Sequence, residues 1–212
     1  MPPNSVQPSP RRPLCERCLR PASACICGTA REVSLSTEVL ILMHPAEVGH
    51  AKNTGQLLHL CLPNSRVLIG ERFEEGLLQT ALTGAWSGQQ RPLHTVLLYP
   101  GEDASPHTPC DADTRIRLVL IDATWRQSRQ MVGAHSQLQS LPRLALQNTP
   151  ATRYAIRKAH EPHQLSTLEA ARLALEVLEP ERGPQIALLD QAMDAFMTHQ
   201  RRFWPHAREM GK

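Results

Sequence analysis

Two groups of residues in this sequence have the types and spacing that chemistry requires. The first is Cys15, Cys18, Cys25 and Cys27, four thiols spaced C-x2-C-x6-C-x-C. A C-x2-C turn and a C-x-C turn each present two sulfurs to the same side, so all four can converge on one tetrahedral ion. The neighbouring Arg17, Arg20 and Arg31 favour the thiolate forms that such a site needs. A structural zinc ion is the expectation, because four sulfurs leave no open position for catalysis; redox-labile or unbound thiols are the alternative. Cys61 and Cys110 have no close cysteine neighbour and read as ordinary thiols.

The second group is Asp122-Ala123-Thr124-Trp125. It follows the apolar run Leu118-Val119-Leu120-Ile121 and precedes a polar, helical stretch, the pattern of a buried strand leading through a loop into a helix. In an open α/β sheet, ligands bind at the carboxyl ends of the strands. An aspartate there can simply cap the helix, but a carboxylate three residues from an indole can also hold a flat base and take a proton from it. Trp125 reads either as a stacking surface for a base or as a core residue. Thr124 reads either as an orienter of the carboxylate or as a cap. His44, Glu47 and His50 look like a metal set only superficially: H-x2-E-x2-H is not the i, i+4 pair of a zinc helix, and Pro45 and Gly49 favour a loop.

Both groups need a scaffold, and hydrophobic periodicity supplies alternating strands and helices. Residues 37–43, 66–69, 95–99 and the central run before Asp122 read as strands. Helices are expected from Thr54, where Asn53 and Thr54 are good caps, and from Thr124 onward, with an amphipathic segment over 73–82. A short fourth unit spans 141–146, followed by an irregular basic stretch. Ser166-Thr167-Leu168-Glu169 is an S-x-x-E capping box opening a helix over 167–179, and 185–204 reads as the final helix. There is no repeat, no G-x-G-x-x-G and no Walker loop, which argues against a dinucleotide fold or a nucleotide triphosphatase.

With 212 residues, 41% of them hydrophobic, the chain can bury one good core. The expected organisation is a disordered Pro/Ser/Arg arm at 1–13, the four-cysteine segment at 14–32 and one catalytic α/β domain at 33–212. No run reaches the roughly 20 apolar residues of a membrane span, and the start lacks the apolar core of a signal peptide, so a cytoplasmic protein is expected. The net charge of +3 is modest but unevenly spread. Residues 115–158 hold seven Arg and one Lys against the single acid Asp122, whereas 159–194 hold seven acids against two Arg. Such clustering suits a polyanionic partner.

The run from CERCLRPASACIC through HPAE, NTG, LLYPG, DATW and LSTLEA resembles the DTW-domain family, over nearly the whole chain from Cys15 to the final helix. The resemblance implies a tRNA-uridine aminocarboxypropyltransferase, which moves the 3-amino-3-carboxypropyl group of S-adenosylmethionine to N3 of a uridine and releases methylthioadenosine. The family is distantly similar to the enzymes that place the same group on ribosomal RNA. By that likeness the fold would be SPOUT-like, a mostly parallel sheet with helices on both faces and a C-terminal knot around the cofactor. The resemblance makes Asp122 the base, with Thr124 and Trp125 beside it, and Thr54, Leu120, Leu144 and Tyr154 the cofactor positions. This chain departs from the ribosomal pattern at Asn148-Thr149-Pro150, where the relatives have Asn directly before Pro. Arg126, Arg129, Arg153, Arg157 and Lys158 flank the same edge and are the candidate tRNA contacts, with a solvated basic face as the alternative. A monomer is expected, a homodimer being the alternative. Two rival functions stand beside the transferase: methyl transfer to RNA, and a zinc-bearing RNA-binding module without chemistry.

Overall fold

All six residues of the strand Glu38–Met43 (β1) are buried, which requires a covering layer on each face of the sheet. The computed structural model, which describes residues 13–86, 91–101, 113–147, 149–154 and 165–203, shows both layers. The other strands are Ser65–Ile69 (β2), Leu93–Leu98 (β3), Arg115–Asp122 (β4) and Arg143–Leu144 (β5). They form one sheet in the order β2-β1-β4-β3-β5, and every pairing is parallel. The helices are Gly55–Cys61 (α1), Glu75–Thr83 (α2), Trp125–Gly133 (α3), Ser136–Gln139 (α4), Thr167–Leu178 (α5), Gly183–Ile186 (α6) and Leu188–Gln200 (α7).

Alternation along the strands sorts the core into two clusters. On one face Val39, Ile41, Leu118 and Leu120 pack with Leu57 and Leu58 of α1, Leu168 and Leu175 of α5, and Phe196 of α7. On the other, Leu40, Leu42, Val119 and Leu97 meet Leu78 and Leu82 of α2, Met131 of α3 and Leu138 of α4. The expected α/β sheet with helices on both faces is therefore present. Cys18 and Ile26 lie in the first cluster, so the four-cysteine segment is built onto the domain rather than hung from it. At the end of α5, the Glu179 carboxylate accepts from the Ser36 and Thr37 amides at 3.1 and 2.5 Å, fixing the entry into β1.

Two expectations need revision, and one element was not expected. The final helix is broken: a 3-10 turn at Pro180–Arg182 and α6, with Pro184 in its first turn, precede α7, which starts at Leu188. The fourth unit contributes only two paired residues, and α4 had no counterpart in the reading of the sequence. The arm up to Arg12 lies outside the described residues, as do 155–164. No helix among the described residues is long and apolar enough to cross a membrane.

The amino end of the sheet consumes part of the central basic charge. Arg117 is fully buried and pairs with Glu38, donating from Nε at 2.8 Å and also from Nη2. Arg115 Nη1 reaches the other carboxylate oxygen at 2.8 Å. Arg117 also donates to the Ala81 and Gly84 carbonyls and lies 4.2 Å from the centre of the Trp86 ring. These two arginines hold the sheet together and face no partner. Replacing Glu38 by Gln leaves the Arg117 cation buried without its counter-charge, so we expect a loss of about 3–5 kcal/mol in unfolding free energy, read by urea denaturation.

Candidate active site

β4 ends at Asp122, and the chain turns at once into α3. Thr124 makes that turn: its hydroxyl accepts from the Gln127 amide at 3.3 Å and donates to Gln127 Oε1 at 2.6 Å, while Gln127 Oε1 accepts from the Thr124 amide. Of the two readings of Thr124, the structure places its hydroxyl on the helix cap and not on Asp122.

Asp122 itself is 4% exposed. Its carboxylate accepts from the Asn53 side-chain amide and from the Thr167 hydroxyl, the latter at 2.6 Å. Asn53 uses its other atom, Oδ1, to cap α1 through the Gln56 amide at 2.7 Å. Gly55 is what lets the carboxylate lie against the start of α1, because a Cβ at 55 would overlap it. The Asp122 carbonyl also accepts from the His44 amide at 3.0 Å, so the ends of β1 and β4 are tied. The acid is thus held from three places in the sequence: residue 53, the strand itself and residue 167.

A cleft of about 280 Å³ opens beside it, between the carboxyl ends of β3, β4 and β5 and the first turn of α5. Tyr99, Leu120, Trp125, Leu144, Ser166 and Thr167 are among its lining residues; Asp122 is not. Thr167 connects the two: it lines the cleft, and its hydroxyl is bonded to the acid. Trp125 is half exposed at the wall, with its ring edge-on to Tyr99 at 6.1 Å, so it is a surface indole and not a core residue. Leu120 and Leu144, two of the four cofactor positions, lie in the wall. The other two do not. The Thr54 hydroxyl accepts from the Leu168 amide at 3.3 Å, and Tyr154 is buried on Phe196 with its hydroxyl donating to the Lys52 carbonyl at 2.9 Å. Both hold the walls from behind.

Thr167 was missed because the capping box explains its neighbourhood without it. Ser166 and Glu169 close that box, which leaves the hydroxyl at 167 uncommitted to the helix. The candidate tRNA contacts divide. Arg126 and Arg129 are exposed on α3 with no acidic partner among the described residues. Arg153 instead pairs with Asp194 at 3.1 Å and Asp190 at 3.5 Å on α7. Arg157 and Lys158 lie outside the described residues, as does Asn148.

At the amino end, the four sulfurs of Cys15, Cys18, Cys25 and Cys27 lie within 4.8 Å of one another, so they can hold a metal ion. Two of the gaps are 3.6 Å (Cys15 to Cys27) and 3.7 Å (Cys18 to Cys25). Tetrahedral bonds of about 2.3 Å from zinc to sulfur would separate ligands by roughly 3.8 Å, so the set fits that ion. The turn closes through Leu19, the one non-glycine residue with positive φ among those described (58°), whose amide donates to the Cys15 carbonyl at 2.8 Å. Amides of Cys18 and Arg17 pull the Cys15 thiol down to about 6, whereas burial, followed by the neighbouring sulfurs, pushes Cys27 up to about 12. Arg20, 2% exposed, turns inward from this turn. Burial lowers its guanidinium below the ordinary value, and Cys18, Tyr154 and Cys25 oppose that shift.

The structure is thus an α/β domain with a cleft and a buried acid at its sheet edge and four sulfurs placed so that they could hold a metal ion, and residues 12–201 match the DTW domain model. The chain belongs to the DTW domain family. It is 35% identical over 192 residues to tRNA-uridine aminocarboxypropyltransferase 2 of Mus musculus, covering 87% of this chain and 62% of that one. It is 34% identical to the protein of the same name in Macaca fascicularis, with the same coverage, and 33% identical to that of Drosophila melanogaster, covering 82% and 70%. The chain thus spans a little under two thirds of the mammalian relatives. No solved structure gives a significant match.

Proposed function

We propose that this protein transfers the 3-amino-3-carboxypropyl group of S-adenosylmethionine to N3 of a uridine in tRNA, releasing methylthioadenosine, and does so in the cytoplasm. The observation that carries the mechanism is the Asp122–Thr167 pair at the wall of the cleft. The relatives' names supply the reaction; the residues supply a way to do it. S-adenosylmethionine provides the electrophile, since attack at its methionine Cγ breaks the Cγ–S bond and discharges the sulfonium.

The cleft suits that donor. Leu120 and Leu144 give apolar walls for a flat purine, and Trp125 and Tyr99 give aromatic edges. Placement chooses the reacting carbon, and holding Cγ in line with the nucleophile is worth roughly 7–11 kcal/mol. The chain's own residues move the proton. Thr167 already donates its hydroxyl hydrogen to Asp122, so the oxygen's remaining lone pairs can accept the hydrogen of N3. As N3 attacks, that proton passes to Thr167 Oγ1 and the hydroxyl proton passes to the Asp122 carboxylate. The five parallel strands, with the cleft at the ends of β3, β4 and β5, support a SPOUT-like reading of the fold. Zinc is the metal we assign to the four sulfurs, as a structural ion.

Mass analysis of tRNA nucleosides and of the small product tests the assignment. Methylthioadenosine with an aminocarboxypropyl-uridine is expected; S-adenosylhomocysteine with a methylated nucleoside would replace this reading by methyl transfer. Arg126 and Arg129, the exposed cations beside the cleft, are read as phosphate contacts. Replacing both by Ala should weaken tRNA binding and lower the slope of log affinity against log salt by roughly one per residue. Arg153→Ala, already paired within the fold, should leave the slope as it is.

A further inference from the structure

Arg20 presents a problem that its own partners do not solve. It is one of the largest fully buried side chains of the protein, yet no carboxylate pairs with it among the described residues. Its Nη2 donates to the carbonyls of His50 at 3.1 Å and Asn53 at 3.0 Å, and the guanidinium carbon lies 5.2 Å from the centre of the Phe196 ring. Nε and Nη1 have no hydrogen-bond partner among the described residues. A buried cation in this position calls for a fixed negative charge nearby. The Arg20 carbonyl accepts from the Cys15 amide at 2.7 Å, which places the residue in the turn that carries the four sulfurs. Four thiolates around one divalent ion would keep a net negative charge, of the sign that Arg20 calls for.

The loop that Arg20 grips is the one that holds the acid. Asn53 donates from its side chain to Asp122 and caps α1, while its carbonyl is fixed by Arg20. The first turn of α1, which Asn53 caps, is pinned to the cysteine turn separately, by Gln56 Nε2 on the Arg17 carbonyl at 2.9 Å. The loop is pinned to the strap 149–154 by the Tyr154 hydroxyl on Lys52.

We propose that Arg20 is a positioning residue that ties the filled four-cysteine centre to the loop 50–54, and through Asn53 sets the place of the Asp122 carboxylate. The metal's contribution to the active site is then mechanical: it fixes where the base sits, 95 residues and more along the chain. Only the kinetic arm of the test rests on the transferase reading; the others are read without substrate, so the two can fail separately.

The test crosses Arg20→Met with removal of zinc by a chelator in the full-length protein. Amide hydrogen exchange is followed over 44–54, with α2 as the remote control. In the wild type, stripping the metal should speed exchange in the loop by about tenfold or more and leave α2 unchanged. Metal-loaded Arg20→Met should show the same acceleration, and stripping it should add less than about twofold, because the link has already been cut. With both substrates, its kcat should fall by about tenfold or more while the dissociation constant for S-adenosylmethionine stays within about twofold. Arg20→Lys, which keeps the charge and a donor, should restore part of each effect. It carries the same comparison if the Met variant does not fold. Wild-type loop exchange in the loaded Met or Lys variant would overturn the proposal. So would a full acceleration on stripping the Met variant, since the coupling would then bypass Arg20.

Discussion

Asp122→Asn should retain S-adenosylmethionine binding and lose about 10²–10⁴-fold in kcat, the contribution of a positioned base. The geometry explains why the loss falls on the rate. The amide placed at 122 keeps one oxygen to accept from Asn53, so the loop and α1 stay in place. Its nitrogen must then face Thr167, and the threonine hydroxyl becomes an acceptor whose hydrogen points elsewhere. The relay runs out of acceptors without any loss of shape. Thr167→Ala should cost a comparable share of kcat, and Thr167→Ser, which keeps the hydroxyl, should recover most of it. Single-turnover kinetics and cofactor titration on the three variants decide the matter. Parallel loss of cofactor affinity in Asp122→Asn would make the carboxylate a scaffold and not a base.

The second large effect lies in the four-cysteine segment. Cys18 is fully buried in the larger core cluster, beside Ile26 and Val33. In Cys18→Ser one ligand is gone and a polar group enters the core, so we expect the variant to purify without stoichiometric metal. Without the ion, the segment 14–32 has little regular structure to keep it folded, since its two 3-10 turns are three residues each. Unfolding the segment exposes Ile26 and uncovers Val33 in the cluster beside it, at a cost of about 1.5–3 kcal/mol for each side chain. A total of about 3–6 kcal/mol should lower Tm by roughly 6–24 °C for a domain of this size. Far-UV circular dichroism should change little, because the sheet and its seven helices lie outside the segment. Metal analysis and a thermal melt check both parts. A metal-free variant with an unchanged Tm would show that the segment folds on its packing alone.

The parallel architecture was legible because its strands declare themselves. Leu118 to Ile121 is apolar without alternation, as a strand covered on both faces must be, and β4 occupies the middle of the order between β1 and β3. The cysteine cluster was legible because its four ligands are close in sequence. The boundaries of α5 followed from the S-x-x-E box. What stayed hidden depends on contacts across long separations. Thr167 meets Asp122 across 45 positions, and nothing in a single sequence ties those two numbers together. Basic residues are hidden for the same reason: Arg115 and Arg117 counted toward a nucleic-acid face, but both pair with Glu38 within the sheet, and Arg153 pairs with Asp190 and Asp194 at the surface. Thr54 and Tyr154 sit near the cleft in topology yet turn away from it, a matter of side-chain direction that spacing does not encode.

Asn53 and Thr167, both bonded to the acid, lie on opposite sides of it in the sequence. Asn53 leaves the ribosome before Asp122, and Thr167 follows 45 residues after it. A nascent or truncated chain that stops short of α5 therefore owns the carboxylate but not the hydroxyl, and lacks one wall of the cleft. Under the mechanism proposed above, such a fragment has no relay for the proton, so a chain cut anywhere between Asp122 and Thr167 is expected to be inactive.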